Sequence, residues 1–227
     1  MVDASATAAV KVTYTAALWT FSFRPQNKVL RNGKVQIDFA GEVSIPDTAL
    51  AQSTCASVSG YESGMTCVVS SNSITVNNGF VTSPFEAGGV LSFSIEHVLN
   101  PVSTQPTSSF SFFTKTENNY GIDQKTSGIT ETMVSTGQMV SAAVAISSVV
   151  NGDVNNYVLT VSASSPLQNG NTLYIRAPDT VTAPLTPTCT GDGSVLKSSL
   201  TCTTTNKETY IDLQFEGKSP ALKCVLI

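Results

Sequence analysis

The chain has 227 residues, with 12 Lys and Arg against 16 Asp and Glu and a formal net charge of −4. Its arginines, Arg24, Arg31 and Arg176, are scattered, so it lacks the clustered cationic surface that phosphate backbones require, and no apolar run approaches the ~20 residues of a membrane-spanning helix. Charged residues make up 12% of the chain, about half of the roughly 25% usual in soluble domains; Ser and Thr take their place, a surface that suits secreted β-proteins and O-linked glycans.

No long stretch carries the i, i+3, i+4 apolar spacing of a helix; short alternating runs dominate, which is the strand signal. Met1-Val2-Asp3-Ala4 has neither the cationic nor the apolar part of a secretory leader, so the chain reads as mature or trimmed. In the first half, alternation predicts strands at 9–14, 18–23, 34–39, 66–69, 73–76, 90–95 and 109–113, separated by Gly, Pro, Asn and Ser. Tyr14, Trp19, Phe21, Phe23, Phe39, Phe93 and Phe112 are expected in the core. Seven short strands at this spacing predict an immunoglobulin-like sandwich, in which two sheets bury alternate side chains between them. Residues 128–137 lose the alternation and read as a linker. The division is then one sandwich over 1–130 and a second over 138–227.

The second half repeats the first. Leu30-Arg31-Asn32-Gly33 returns as Leu167-Gln168-Asn169-Gly170, and one spacing separates Ile37 from Ile175, Val43 from Val181 and Pro46 from Pro184. Strands are predicted at 142–146, 157–161, 173–175, 210–213 and 222–227. The cysteines follow the same period. Cys55 and Cys67 lie after Pro46, Cys189 and Cys202 lie after Pro184, and Cys224 stands alone. A pair recurring in each unit predicts two intradomain disulfides and an oxidising compartment. Metal binding is the weaker reading, because the spacing is not Cys-x-x-Cys and the chain has one histidine, His97.

The copies part company at their ends. After 90–95 the first continues through Asn100-Pro101 to a Phe-rich strand, whereas 222–227 has no such successor. The expected architecture is therefore all-β, two tandem immunoglobulin-like sandwiches, the second lacking its last strand. Three readings account for the difference: completion by a strand from elsewhere, a cut at Ile227, or a complete smaller domain. Completion by β-strand addition is the functional one. Its donor would be Ala9, Val10, Val12 and Tyr14 of a neighbouring copy, or residues after Ile227. Leu222, Cys224 and Leu226 would wall the acceptor groove. Such head-to-tail exchange does not close and grows a filament.

Other chemistry finds little support. There is no Gly-x-Ser-x-Gly elbow, and His97 beside Glu96 reads as a turn or partly buried histidine. Asn151-Gly152-Asp153-Val154-Asn155-Asn156 carries four acidic or amide side chains but lacks an EF-hand order, and reads as a turn. Neither an enzyme nor a cofactor or metal is expected. The expected partners are further copies of the chain, with no nucleic acid and no membrane span.

The run from Phe93 through Asn100-Pro101 to Phe110, followed by Gly121-Ile122-Asp123, resembles a pattern in large extracellular repeat proteins of protists, ciliates especially, and the architecture is similar to that of pilus and adhesin subunits. The resemblance implies repeated sandwiches in surface or fibre proteins, with no catalytic residues to transfer. The expected function is a structural subunit of an extracellular filament or appendage. The alternative is an adhesin or carbohydrate-binding module.

Overall fold

The computed structural model describes residues 1–148, 150, 155–167, 170–178, 181, 187–191, 196–197, 199–205, 208–212 and 219–226, with the backbone alone at 165, 166, 212 and 219–226. The chain divides into two compact units, Met1–Thr136 and Gly137–Ile227.

The first unit runs β1 (Val2–Ala8), β2 (Ala16–Arg24), β3 (Lys34–Asp38), α1 (Thr48–Ser53), β4 (Ala56–Ser59), β5 (Thr66–Val69), β6 (Ser73–Asn77), β7 (Leu91–Leu99), β8 (Ser111–Lys115) and β9 (Gly121–Lys125). All its ladders are antiparallel. One sheet has the order β1-β2-β7-β4 and the other β5-β6-β3-β8-β9. These are the A-B-E-D and C-F-G neighbours of an immunoglobulin-like sandwich, with an extra β6–β5 hairpin on the edge of the second sheet. Alternation drives the layering: Trp19, Phe21 and Phe23 of β2 face inward with Phe93 and Ile95 of β7, against Val35, Ile37 and Phe112 opposite, all fully buried. Phe21 is the hub of the aromatic core, its ring 5.3 Å from that of Phe93 and 5.8 Å from that of Phe39. The turn before β3 places Asn32 at φ 56. At Gly33 a Cβ would stand 2.8 Å from the Leu30 carbonyl oxygen, so the Asn-Gly pair is required by space as well as by conformation.

Two expectations are corrected here. The first strand is Val2–Ala8 and not 9–14: Ala6 and Ala8 are buried, whereas Val10 and Tyr14 are exposed and Tyr14 has φ 52. The segment read as a linker is packed for most of its length. Ile129 and Met133 are buried, Phe110 N–H donates to the Ile129 carbonyl at 2.8 Å, and the N–H groups of Val134 and Ser135 both reach the Lys11 carbonyl.

The second unit runs β10 (Met139–Ile146), β11 (Tyr157–Leu167), β12 (Thr172–Arg176), β13 (Cys189–Gly191), β14 (Thr201–Thr205), β15 (Glu208–Asp212) and β16 (Ser219–Leu226). Its sheets are ordered β10-β11-β16-β13 and β12-β15-β14. Strand for strand this is β1-β2-β7-β4 over β3-β6-β5. Leu159, Val161, Leu173, Ile211 and Leu200 form its core with Cys189.

Disulfides join Cys55 to Cys67 and Cys189 to Cys202. Cys55 lies just before β4 and Cys67 in β5, while Cys189 is in β13 and Cys202 in β14. In each unit the bridge therefore ties one sheet to the other along the same edge.

Candidate functional site

A strand in the middle of a sheet satisfies its backbone on both sides, and a strand at the edge leaves a row of N–H and C=O groups open. In the first unit β3 is central, paired with β6 on one side and β8 on the other. Its counterpart β12 pairs with β15, and among the described residues no strand lies along its other side. Among the described residues, none of the second unit takes the place that β8 and β9 fill in the first.

The facing sheet is uncovered at the same end. In the first unit Ala6 and Ala8 of β1 are buried, within one core with Phe110, Ile129 and Met133 from around β8 and β9. In the second, Ala142, Val144 and Ile146 of β10 stand opposite Val161, Leu159 and Tyr157 of β11, which puts them on the face that carries the core residues Leu159 and Val161. Yet every residue of β10 is exposed, Val144 to 61% and Ile146 to 47%. An apolar strand with one free edge and an uncovered inward face is the kind of surface that association buries. Among the described residues, the unpaired edge of β12 and the exposed β10 residues Val144 and Ile146 thus lie along the same side of the two sheets.

Leu222, Cys224 and Leu226, expected as the groove wall, stand in β16 opposite Val161, Leu159 and Tyr157. β16 has β11 on one side and β13 on the other, so it is an inner strand, whereas β12 is at the edge of its sheet. The expected donor residues are engaged in their own unit. Ala9 N–H donates to the Leu18 carbonyl at 2.9 Å and Tyr14 N–H to that of Pro101 at 2.8 Å. The Val10 and Val12 carbonyls accept from the Asn100 side-chain nitrogen at 2.7 and 2.8 Å, and Val12 bridges Ser135 in parallel.

Asn100 is a structural residue that the sequence reading passed over. It is buried, and besides holding the Val10 and Val12 carbonyls it accepts from the Trp19 indole N–H at 2.9 Å. Every polar atom of its amide is thereby used. The Asn-Pro step at the end of β7 is a clamp between the sandwich core and the segment leaving β1.

His97 takes φ 62 in a bulge of β7 where the register with β2 shifts between Ala17 and Trp19, and its imidazole is 3.9 Å from the Glu96 carboxylate. Among the described residues no three His, Cys, Asp or Glu side chains come together as a metal site, and no helix is long and apolar enough to cross a membrane. Of the expected turn at 151–156, residues 151–154 lie outside the described residues; Asn155 accepts from the Ser148 N–H at 2.6 Å.

The chain matches no protein-family model and no curated protein. Among solved structures it is similar to an uncharacterised protein of Nocardia farcinica with an immunoglobulin-like fold, at 14% identity and a TM-score of 0.36, covering 57% of this chain and 96% of that one. It is also similar to the type II cohesin dyad of the adaptor ScaA scaffoldin of Acetivibrio cellulolyticus, at 8% identity, a TM-score of 0.31 and coverage of 98% and 84%. A third is the C-terminal domain of the AgI/II polypeptide BspA of Streptococcus agalactiae, at 8% identity, a TM-score of 0.26 and coverage of 98% and 90%. Likenesses this loose assign neither a partner nor an activity.

Proposed function

We propose that this protein is a structural subunit of an extracellular assembly whose second sandwich is completed by an extended segment of another copy lying along β12. The observation that carries the reading is the contrast between the two repeats. The same scaffold is closed by β8 and β9 in one unit, and among the described residues of the other β12 has no strand along that side and β10 is exposed throughout. An incoming strand would satisfy the β12 backbone and cover Val144 and Ile146 in one step, the energetic logic of β-strand addition. Contact between unlike surfaces of identical copies does not close on itself and propagates as a filament. The disulfides fit an oxidising, extracellular setting. For Ala9, Val10, Val12 and Tyr14 to be the donor, their hydrogen bonds to Leu18, Asn100 and Pro101 must first be exchanged.

The test is assembly of the whole chain, followed by sedimentation and negative-stain microscopy. Val144→Glu and Ile146→Glu place a charge where an added strand would lie, at positions already exposed, so they should leave the melting temperature unchanged and abolish polymers. A synthetic peptide of residues 107–127, the segment that closes the first unit, should cap the site and protect the β12 amides from exchange. A wild-type chain that stays monomeric at every concentration, with β12 amides unaffected by the peptide, would sink the proposal.

A further inference from the structure

We infer that the outer face of the β12-β15-β14 sheet is a binding site for a neutral, extended polysaccharide. The observation beneath it is an aromatic row with no counterpart in the first repeat. The register places Tyr174 of β12 beside Tyr210 of β15, and Tyr210 beside Thr203 of β14. The two rings are 5.2 Å apart, and they are 48% and 37% exposed. In the first unit the equivalent row is Gln36 beside Thr75 beside Val68, so the fold itself does not ask for rings there. Large exposed aromatics that the scaffold does not require point to something laid against them.

The polar groups around the rings define what that is. Glu208 sits one pleat away on the same face and accepts from the Tyr174 hydroxyl at 2.5 Å and from the Tyr210 hydroxyl at 3.1 Å. These two bonds hold the Glu208 carboxyl below its ordinary range and the phenols above theirs, so the carboxylate stays charged and both rings are fixed from their far ends. Arg176 stands directly across from Glu208, and Thr201, Thr203 and Thr205 line the exposed side of β14. The face therefore offers ring surface, hydroxyls, a carboxylate acceptor and a guanidinium donor. That combination suits a sugar, whose ring has a C–H face and a rim of hydroxyls; tyrosine supplies the matching apolar body and polar tip. The anionic Glu208 at the centre disfavours acidic glycans. The tyrosine row crosses the strands, its two rings inclined by 50° on a twisted sheet, so the ligand is an extended chain running across β14, β15 and β12 that follows this twist, as β-linked glucose or N-acetylglucosamine polymers can. A cross-strand tyrosine pair also strengthens a sheet, and the experiment separates the two roles.

The full chain is titrated calorimetrically with cellohexaose and with chitohexaose while the ring resonances of Tyr174 and Tyr210 are followed by NMR. Binding of at least one hexasaccharide with shifts confined to those rings is expected. Tyr174→Gln and Tyr210→Thr install the residues of the first repeat, and each should weaken binding by roughly tenfold, the equivalent of about 1.4 kcal/mol. Tyr120→Ala, a change at a 73% exposed tyrosine of the first unit, should not. The inference is overturned if neither sugar produces heat or ring shifts in the wild-type chain, or if binding survives the Tyr174→Gln/Tyr210→Thr double variant undiminished. Polymer formation through β12 is read separately, so either idea can fail alone.

Discussion

Replacing Asn100 by alanine removes three hydrogen bonds at once, and the three are not equal. The Val10 and Val12 carbonyls belong to a segment that is not fully buried, so water can replace the lost amide there at modest cost. The indole N–H of Trp19 cannot be rescued, because its side chain is fully buried. An orphaned buried donor costs about 1–3 kcal/mol, and lost neutral hydrogen bonds about 0.5–1.5 kcal/mol each, so Asn100→Ala should cost the first unit about 2–4 kcal/mol. That is a large share of the ~5–15 kcal/mol that holds a domain folded, and it moves a urea midpoint down by about 1–2 M. Trp19 is the only tryptophan, so its emission reports unfolding of the first unit alone. Trp19→Phe removes the donor instead of the acceptor. Followed by circular dichroism, the double variant should show a coupling of about 1 kcal/mol or more. A loss below about 0.5 kcal/mol in Asn100→Ala, or independent effects in the cycle, would show that the amide does not clamp the core.

Other substitutions test local features. The Tyr61 hydroxyl is buried without a hydrogen-bond partner among the described residues and burial raises its pKa, so Tyr61→Phe should raise thermal stability, by about 1 kcal/mol; a clear loss would contradict the burial argument. At His97, with φ 62, glycine should be tolerated or stabilising, whereas valine should cost about 1–2 kcal/mol in a denaturant melt. The Glu62 carboxylate accepts from the Thr82 hydroxyl at 2.7 Å and from the N–H groups of Val81, Thr82 and Ser83, and these bonds, the Thr82 hydroxyl foremost, hold its pKa below the ordinary carboxylate value. A depressed acid contributes stability above its unfolded pKa and loses it as pH falls through the folded value. The protection of the amides at 81–83, measured against their intrinsic exchange rate at each pH, should therefore be lost only on acidification through that lowered pKa, and Glu62→Gln should remove that pH dependence. Reducing the Cys55–Cys67 bridge, which spans 12 residues, should cost the first unit about 3 kcal/mol on the chain-entropy account, read from melts with and without reductant.

Much of the architecture could be read from residue order because sandwiches are written in alternation. Lys34–Asp38 and Thr172–Arg176 announced themselves through the Asn-Gly turn before each and through Val35 and Ile37 matching Leu173 and Ile175. The cysteine pairs did so by recurring. Ala56–Ser59 did not, because all four of its residues are exposed and carry no apolar period. Val2–Ala8 was hidden for the opposite reason: its inward residues are alanines, and the stronger-looking alternation of Val10 and Val12 lies just beyond it. The expected groove wall at 222–226 is a strand held between β11 and β13. Chain order puts 222–226 last, and nothing in the linear pattern says that this strand lies between two others while the free edge belongs to Thr172–Arg176. The pairing of Tyr174 with Tyr210 was likewise out of reach, since it depends on a register between segments 36 residues apart.

The cross-link in the second unit has a geometric consequence. Cys189 and Cys202 fasten the two layers along one long side, and β10 and β12 lie along the other. The layers are thus bound like the covers of a book, covalently at the spine and by contact alone at the fore-edge. On the proposed completion by an added strand, separation at the fore-edge would admit and release that strand without any bond to sulfur being broken, and the spine would hold the layers to one shape before and after.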